Sequence, residues 1–425
     1  MTGGELNRAG LVKFIARHSW FVIFLLALLL RLYAVTVHPV PVPTADAADY
    51  HRLATDLARG SGYVNEAGVP TAWRPPGYPF FLACVYALFG PSVRAATVVQ
   101  AVLGALTVLL IAWLARSLAG RRGGLIAGLL AAVYPGFFWP ARLLLSENLA
   151  LFLVAAALCA AVWLAGRWRA WGALGLGVLL GVGTLVRGPY LLFSLVLLLW
   201  LAVQFWRRGR EWRKGLLTVL LAGVGLAAVL VPWAARNRSV FGRPVLVATQ
   251  DGMGLYSSFW PPVKNGRPIW GSLPGREDPV VAEAERAGDE VAVSQSLRRA
   301  AVERLKQNPS HFFRVVPSKL LSLVAPFDWE TFPHAEGATR SLNPVYVLVL
   351  IPAMLGVFVL RRRGRPHGSV LWVVPLAVLV QTFITYGSPR FRLPAETSAI
   401  VWASAALVWV WDRKRRGREV VTRGE

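Results

Sequence analysis

Only two cysteines occur in the 425 residues. Cys84 and Cys159 both lie among apolar residues, with no metal-ligand spacing and no partner pattern. That excludes a disulfide framework or a cysteine-rich metal site and leaves the redox compartment open. Acidic residues are also scarce, with 22 Asp and Glu against 46 Lys and Arg and a net charge of +24. Such an excess suggests nucleic acid in a soluble chain, but no recognition module accompanies it here. Charge of either sign is thin: 16% of residues are charged and 55% are hydrophobic. A soluble domain cannot hide that much apolar surface. No internal repeat marks a transporter built from inverted halves.

What remains is a series of apolar stretches long enough to cross about 30 Å of hydrocarbon. The chain reads as an all-α polytopic membrane protein. Its arginines cluster at Arg121 and Arg122, Arg167 and Arg169, Arg207 to Lys214, Arg361 to Arg365 and Arg413 to Arg418. These clusters fall in alternate connections, and basic connections stay cytoplasmic. The same clusters suit anionic lipid headgroups. The pattern gives about ten spans, near 19–37, 95–117, 123–139, 147–165, 171–187, 190–206, 215–233, 344–360, 369–386 and 396–411, with both termini cytoplasmic. The first span contains Arg31 and lacks a clear small-residue cleavage site, so it reads as an uncleaved anchor rather than a signal peptide.

Two large extracytoplasmic regions result. Residues 1–233 form an N-terminal transmembrane module whose first outer loop, 38–94, is its most polar part. Residues 234–343 form the second outer region, with a helix expected over 278–307. Residues 344–425 supply the last spans and a basic tail. Within the first loop, 47–59 reads as a short amphipathic helix ending at Gly60, and 78–89 as an apolar helix too short to span.

Every concentrated polar motif lies on the outer side. Asp46 and Asp49 are three residues apart, a spacing that shares one helix face. Arg74, Arg142 with Glu147, Arg187, Arg236 with Arg238, and Arg390 with Arg392 complete the set. Arginine presents a forked, permanent charge suited to phosphate oxygens, and a carboxylate can take a proton from a hydroxyl nucleophile. A sugar carried on a lipid phosphate already has a good leaving group. Such a site therefore needs a base for the acceptor and cations for the charge growing on phosphate. Paired glycosidase carboxylates would instead need an acid on the leaving oxygen.

The run Asp46-Ala47-Ala48-Asp49-Tyr50, followed by Trp73-Arg74-Pro75-Pro76-Gly77-Tyr78-Pro79, resembles bacterial glycosyltransferase family 39. That group contains protein O-mannosyltransferase relatives and aminoarabinose lipid A transferases. The resemblance continues, in order, through Leu145-Ser146-Glu147-Asn148, Pro232-Trp233-Ala234-Ala235-Arg236-Asn237, Phe241-Gly242-Arg243-Pro244-Val245 and Arg390-Phe391-Arg392-Leu393-Pro394-Ala395-Glu396. It implies a GT-C fold, a polyprenyl-phosphate sugar donor, and an active site on the extracytoplasmic side of the plasma membrane. Motif by motif, it puts Asp46 in the place of the first-loop catalytic acid, Arg74 near the donor phosphate, and Glu147 in the place of the second-loop acid. Relatives often carry adjacent acids where this chain has Ala47 and Ala48, so the base stays open between Asp46 and Asp49.

The expected catalytic set is Asp46, Asp49 and Glu147. The expected phosphate ligands are Arg74, Arg390, Arg392, Arg187 and Arg236. No cofactor is expected, although hard cations favour carboxylates and a divalent ion on Asp46 and Glu147 stays open. The partners would be a polyprenyl-phosphate sugar donor, membrane lipids, and a glycan, lipid or protein acceptor. Two other readings compete. A lipid-linked sugar flippase needs polar residues along its spans, and these are nearly all Leu, Val, Ala and Gly. A non-catalytic envelope assembly protein would not need the first-loop acids.

Overall fold

The computed structural model describes residues 18–421, apart from 40–42, 44, 208, 210, 262, 265–266, 269–273, 287, 327–342, 365–366, 386 and 388. Among the described residues the chain is helical, with one antiparallel pair of two-residue strands, β1 (Val263–Lys264) and β2 (Arg267–Pro268). Helix α1 is Ser19–Val37. The first loop carries α2 (Asp46–Ala58) and α3 (Gly77–Phe89), followed by α4 (Val93–Val133). Helices α5 (Glu147–Gly166), α6 (Ala170–Val186), α7 (Tyr190–Trp206) and α8 (Trp212–Phe241) come next. The region 234–343, expected to face outward, holds α9 (Asp251–Phe259), α10 (Pro279–Glu285), α11 (Glu290–Gln307) and α12 (Pro309–Val324). Helices α13 (Pro344–Arg362), α14 (Val373–Ile384) and α15 (Pro389–Val421) close the chain.

Each expected span falls on an apolar helix. Among the described residues, six helices are long and apolar enough to cross a membrane: α1, α4, α5, α8, α13 and α15. Helices α6 and α7 and the stretch Gly368–Ile384 are apolar but shorter. Helix α4 holds two expected spans, folded back at Gly120, whose φ of 83° breaks the helical path. Outward-facing Phe21, Leu29, Leu199, Leu220, Leu348 and Phe358 are all more than half exposed. Large apolar side chains turned outward in this way suit lipid rather than water.

Several boundaries differ from the sequence reading, each for a local reason. The third span stops at Val133, because Pro135 and Pro140 divide the next stretch of chain into two one-turn pieces. The seventh runs through Pro232 to Phe241. Its far end is held by Trp233 Nε1 donating to the Val247 carbonyl (2.7 Å) and Asn237 Nδ2 to that of Val245 (3.0 Å). The helix expected over 278–307 is two helices, parted near Gly288 (φ 101°). The expected outer turn at 388–394 is helical from Pro389, and this changes where its arginines point.

Close helix packing depends on glycine at a few positions. A Cβ on Gly177 would lie 2.0 Å from the Ala222 carbonyl oxygen, and one on Gly225 would lie 2.3 Å from that of Leu174. Small residues of this kind let membrane helices approach closely. We expect Gly177→Ala to force α6 and α8 apart and destabilise the protein by about 1–3 kcal/mol. Thermal unfolding in detergent checks this.

The two ends of the bundle differ chemically. At one end Arg122 pairs with Asp412 (2.9 Å), and Arg363 lies 3.7 Å from the same carboxylate, so three of the basic clusters converge. At the other end, α2 and α3 pack over α4 and α5 through Ala47, Tyr50, Ala54, Tyr78, Leu82 and Leu149. The acids of the first loop stand on that platform.

Candidate active site

Helix α2 buries Ala47, Tyr50, Leu53 and Ala54 and keeps Asp46 and Asp49 in its first turn. Neither acid caps the helix. Ala45 stands at the cap position without a side-chain hydrogen bond, and both carboxylates reach across to Arg74. Arg74 Nη2 lies 2.8 Å from Asp46 Oδ1 and 2.7 Å from Asp49 Oδ2, and its Nε donates to Asp49 Oδ2 at 3.0 Å. Its Nη1 donates to Gln250 Oε1 (3.1 Å), and the guanidinium lies over the Tyr50 ring, 5.7 Å from the centroid.

Asp46 is held from its other side by Arg390 Nη1, 3.2 Å from Oδ2. Arg390 Nε then donates to Glu147 Oε1, which also accepts from Arg187 Nη1 at 2.6 Å. Three carboxylates and three guanidiniums thus form one chain: Asp49, Arg74, Asp46, Arg390, Glu147, Arg187. The chain is electrically balanced, so the low-dielectric site holds no uncompensated charge. It also has a gradient of access. The Asp46 and Asp49 side chains are 33% exposed and that of Glu147 only 7%.

The surrounding chain fixes these groups. Tyr63 Oη donates to the Arg74 carbonyl (2.9 Å). Gly77 follows the Pro-Pro step because a Cβ there would lie 2.7 Å from the backbone of Leu185 and Val186, just before Arg187. Tyr78 Oη donates to Gln100 Oε1 (2.8 Å), and Gln100 Nε2 donates to the Leu143 carbonyl (2.9 Å), which steadies the segment leading to Glu147.

Burial pushes the Asp46 carboxyl up, but the neighbouring Arg74 and Arg390 outweigh it and hold the pKa below the usual carboxylate range. Burial pushes the Arg74 guanidinium down, and Asp46 and Asp49 reverse this, so it stays charged. Among the described residues, no three His, Cys, Asp or Glu side chains converge as metal ligands. An arginine stands between each neighbouring pair of carboxylates instead.

Six of the eight expected site residues therefore meet. Arg392 is not among them. Two positions apart on a helix point roughly 200° apart, so with α15 helical from Pro389, Arg392 turns away from Arg390. It pairs with Glu396 (2.7 Å), donates to the carbonyls of Leu323 and Ala325, and lies 3.7 Å over the Tyr346 ring. Arg236 is also elsewhere. It donates to the carbonyls of Thr71 (2.7 Å) and Tyr63 (3.0 Å), bracing the loop that carries Arg74. His51 faces Tyr86 Oη (2.8 Å) rather than the acids.

Three contributors carry no local sequence signal. Gln250 reaches Arg74 from 176 positions away. Tyr50 lies beneath Arg74, and Glu290 accepts from Thr71 Oγ1 and the Ala72 amide at 2.6 Å each.

Residues 73–234 match the family model of dolichyl-phosphate-mannose-protein mannosyltransferases. The whole chain superposes on solved structures of archaeal oligosaccharyltransferase from Archaeoglobus fulgidus. One, AglB in complex with an inhibitory peptide and a dolichol-phosphate, gives a TM-score of 0.58 at 14% identity, over 96% of this chain and 52% of that one. The apo form gives 0.58 at 15% identity, over 95% and 52%. The fold is that of the GT-C glycosyltransferases.

ArnT from Cupriavidus metallidurans bound to undecaprenyl phosphate is also similar, at TM-score 0.45 and 16% identity, over 92% of this chain and 77% of that one. No curated protein matches the sequence. The chain spans about half the length of the oligosaccharyltransferases on which it superposes. The matched family segment begins at Trp73, one residue before Arg74, and encloses Glu147 and Arg187. Three of the six network residues therefore lie inside it. The GT-C framework brings Asp46, Asp49 and Arg390 to them from outside that segment.

Proposed function

We propose that this membrane protein transfers a sugar from a polyprenyl-phosphate carrier to a hydroxyl acceptor on the extracytoplasmic face, with inversion. The observation that carries the reading is the balanced chain of three acids and three arginines at the end of the bundle opposite the converged basic clusters. Basic ends stay cytoplasmic, which favours the outer face for the acids. The archaeal relative's dolichol-phosphate and inhibitory peptide supply the analogy for a lipid-phosphate donor and an acceptor beside it.

In this reading the donor phosphate lies against Arg74 and Arg390, taking the place of carboxylate oxygens. Asp46, released from one or both guanidiniums, accepts the proton of the acceptor hydroxyl. The acceptor oxygen attacks the anomeric carbon, the bond from that carbon to the phosphate oxygen breaks, and its electron pair leaves with the phosphate. Arg74 and Arg390 offset the charge that grows there. A single displacement inverts the anomeric centre.

The test is label transfer in nanodiscs, with radiolabelled polyprenyl-phosphate sugars and envelope extract as acceptor. We expect wild type to move label from carrier to acceptor, and Arg74→Gln to raise KM for the donor at least about tenfold, through loss of a charge-assisted bond. Label that crosses the bilayer while still on its carrier would instead establish a flippase.

A further inference from the structure

The ion chain leaves one buried carboxylate oxygen unused. Glu147 Oε1 accepts from both Arg187 and Arg390, whereas Oε2 is buried and has no hydrogen-bond partner. The next residue repeats the pattern with opposite polarity, since Asn148 Nδ2 is buried and unpartnered. Both residues are more than nine-tenths buried, and both line one cavity between α5, α14 and the start of α15. A buried polar atom without a partner has lost its water and gained nothing in return. Two on successive residues of one cavity wall mark a place built to receive something.

We infer that Glu147 Oε2 and Asn148 Nδ2 together bind one hydroxyl of the transferred sugar, and so help set which sugar is accepted. The inference rests on the transferase reading above. A hydroxyl both donates and accepts, and the two unpartnered atoms are one acceptor and one donor. Its volume, about 20 Å³, takes a group the size of a hydroxyl and not a whole ring. Its remaining walls combine the apolar Leu151, Val378 and Leu393 with the polar side chains of Tyr190 and Gln381.

Location points to the donor rather than the acceptor. With the phosphate on Arg390, the sugar ring begins one bond from a phosphate oxygen, and Glu147 is the direct hydrogen-bond partner of Arg390. The acceptor hydroxyl must instead reach Asp46, on the open side of the site, where the acid is 33% exposed against 7% for Glu147. The two hydroxyls therefore have separate carboxylates.

The experiment compares each transferable polyprenyl-phosphate sugar with its monodeoxy analogues, in wild type, Asn148→Ala and Asn148→Leu. We expect wild type to favour the parent sugar over one deoxy isomer by about tenfold or more in kcat/KM, the size of one buried hydrogen bond. Both variants should collapse that ratio toward one, chiefly by slowing the parent, and leave the ratios for the other deoxy positions intact. Asn148→Leu keeps nearly the same shape and loses the N–H donor, so it guards against a packing effect of the alanine. Equal slowing of every donor by both variants would make Asn148 structural and overturn the inference. So would a wild type indifferent to every deoxy position, because a fixed water then fills the cavity. Failure of the underlying reading looks different: wild type itself would move no sugar from any carrier.

Discussion

Asp46→Asn is expected to lower kcat for sugar transfer by roughly 10²- to 10⁴-fold, the range for loss of a general base. Asp49→Asn should behave differently. Asp49 accepts from both Nε and Nη2 of Arg74 and has no contact with Arg390 among the described ion pairs, so its loss loosens a phosphate ligand and raises the donor KM. The split between kcat and KM in the two variants decides which acid is the base. If Asp49→Asn loses kcat and Asp46→Asn does not, the roles are reversed.

The same geometry predicts how pH acts. A base works deprotonated, so the rate falls as pH drops through its pKa. In the free enzyme Arg74 and Arg390 hold Asp46 below the usual carboxylate range. The acid limb of kcat/KM, which reports the free enzyme, should therefore lie below that range. In the proposed complex, donor phosphate would compete for the same guanidiniums and add negative charge beside Asp46. Both effects favour the protonated acid, so the acid limb of kcat should lie at higher pH than that of kcat/KM. Coincident limbs would mean that Asp46 keeps its arginines in the complex.

Much of the fold was readable because membrane spans announce themselves. An apolar run long enough to cross hydrocarbon has few other uses, and the arginine clusters order such runs by side. The six members of the ion chain were readable as candidates too, since acids and arginines in the loops expected to face outward stand out against so apolar a chain. Their connections were not. Asp46 and Arg390 are 344 positions apart, and no local pattern records that one guanidinium joins Asp46 to Glu147. Arg390 and Arg392 looked equivalent because Pro389 and Pro394 suggest a turn. Pro389 opens the helix, where proline is tolerated, Pro394 lies inside it, and once that segment is helical the two arginines must diverge. Pro232 misled in the same way, and its helix continues because tertiary anchors at Trp233 and Asn237 hold the far end.

The largest stability effect is expected at Glu147, for a reason independent of catalysis. Its carboxylate is the only acid touching Arg187 among the described ion pairs, and it shares Arg390 with Asp46. Glu147→Ala would leave two mostly buried guanidiniums facing each other across a small cavity. Breaking a buried pair by removing one partner costs about 3–5 kcal/mol, because the remaining charge has lost both water and its counter-ion. The double variant Glu147→Ala/Arg187→Ala should be more stable than Glu147→Ala alone, since it removes the stranded charge as well. Thermal unfolding of wild type, both single variants and the double variant in detergent measures this as a double-mutant cycle. A strictly additive cycle would show that the two groups do not interact, and the ion chain would then end at Arg390. A favourable coupling would place Arg187 in the chain as the innermost cation, holding Glu147 Oε1 so that Oε2 stays turned toward the cavity.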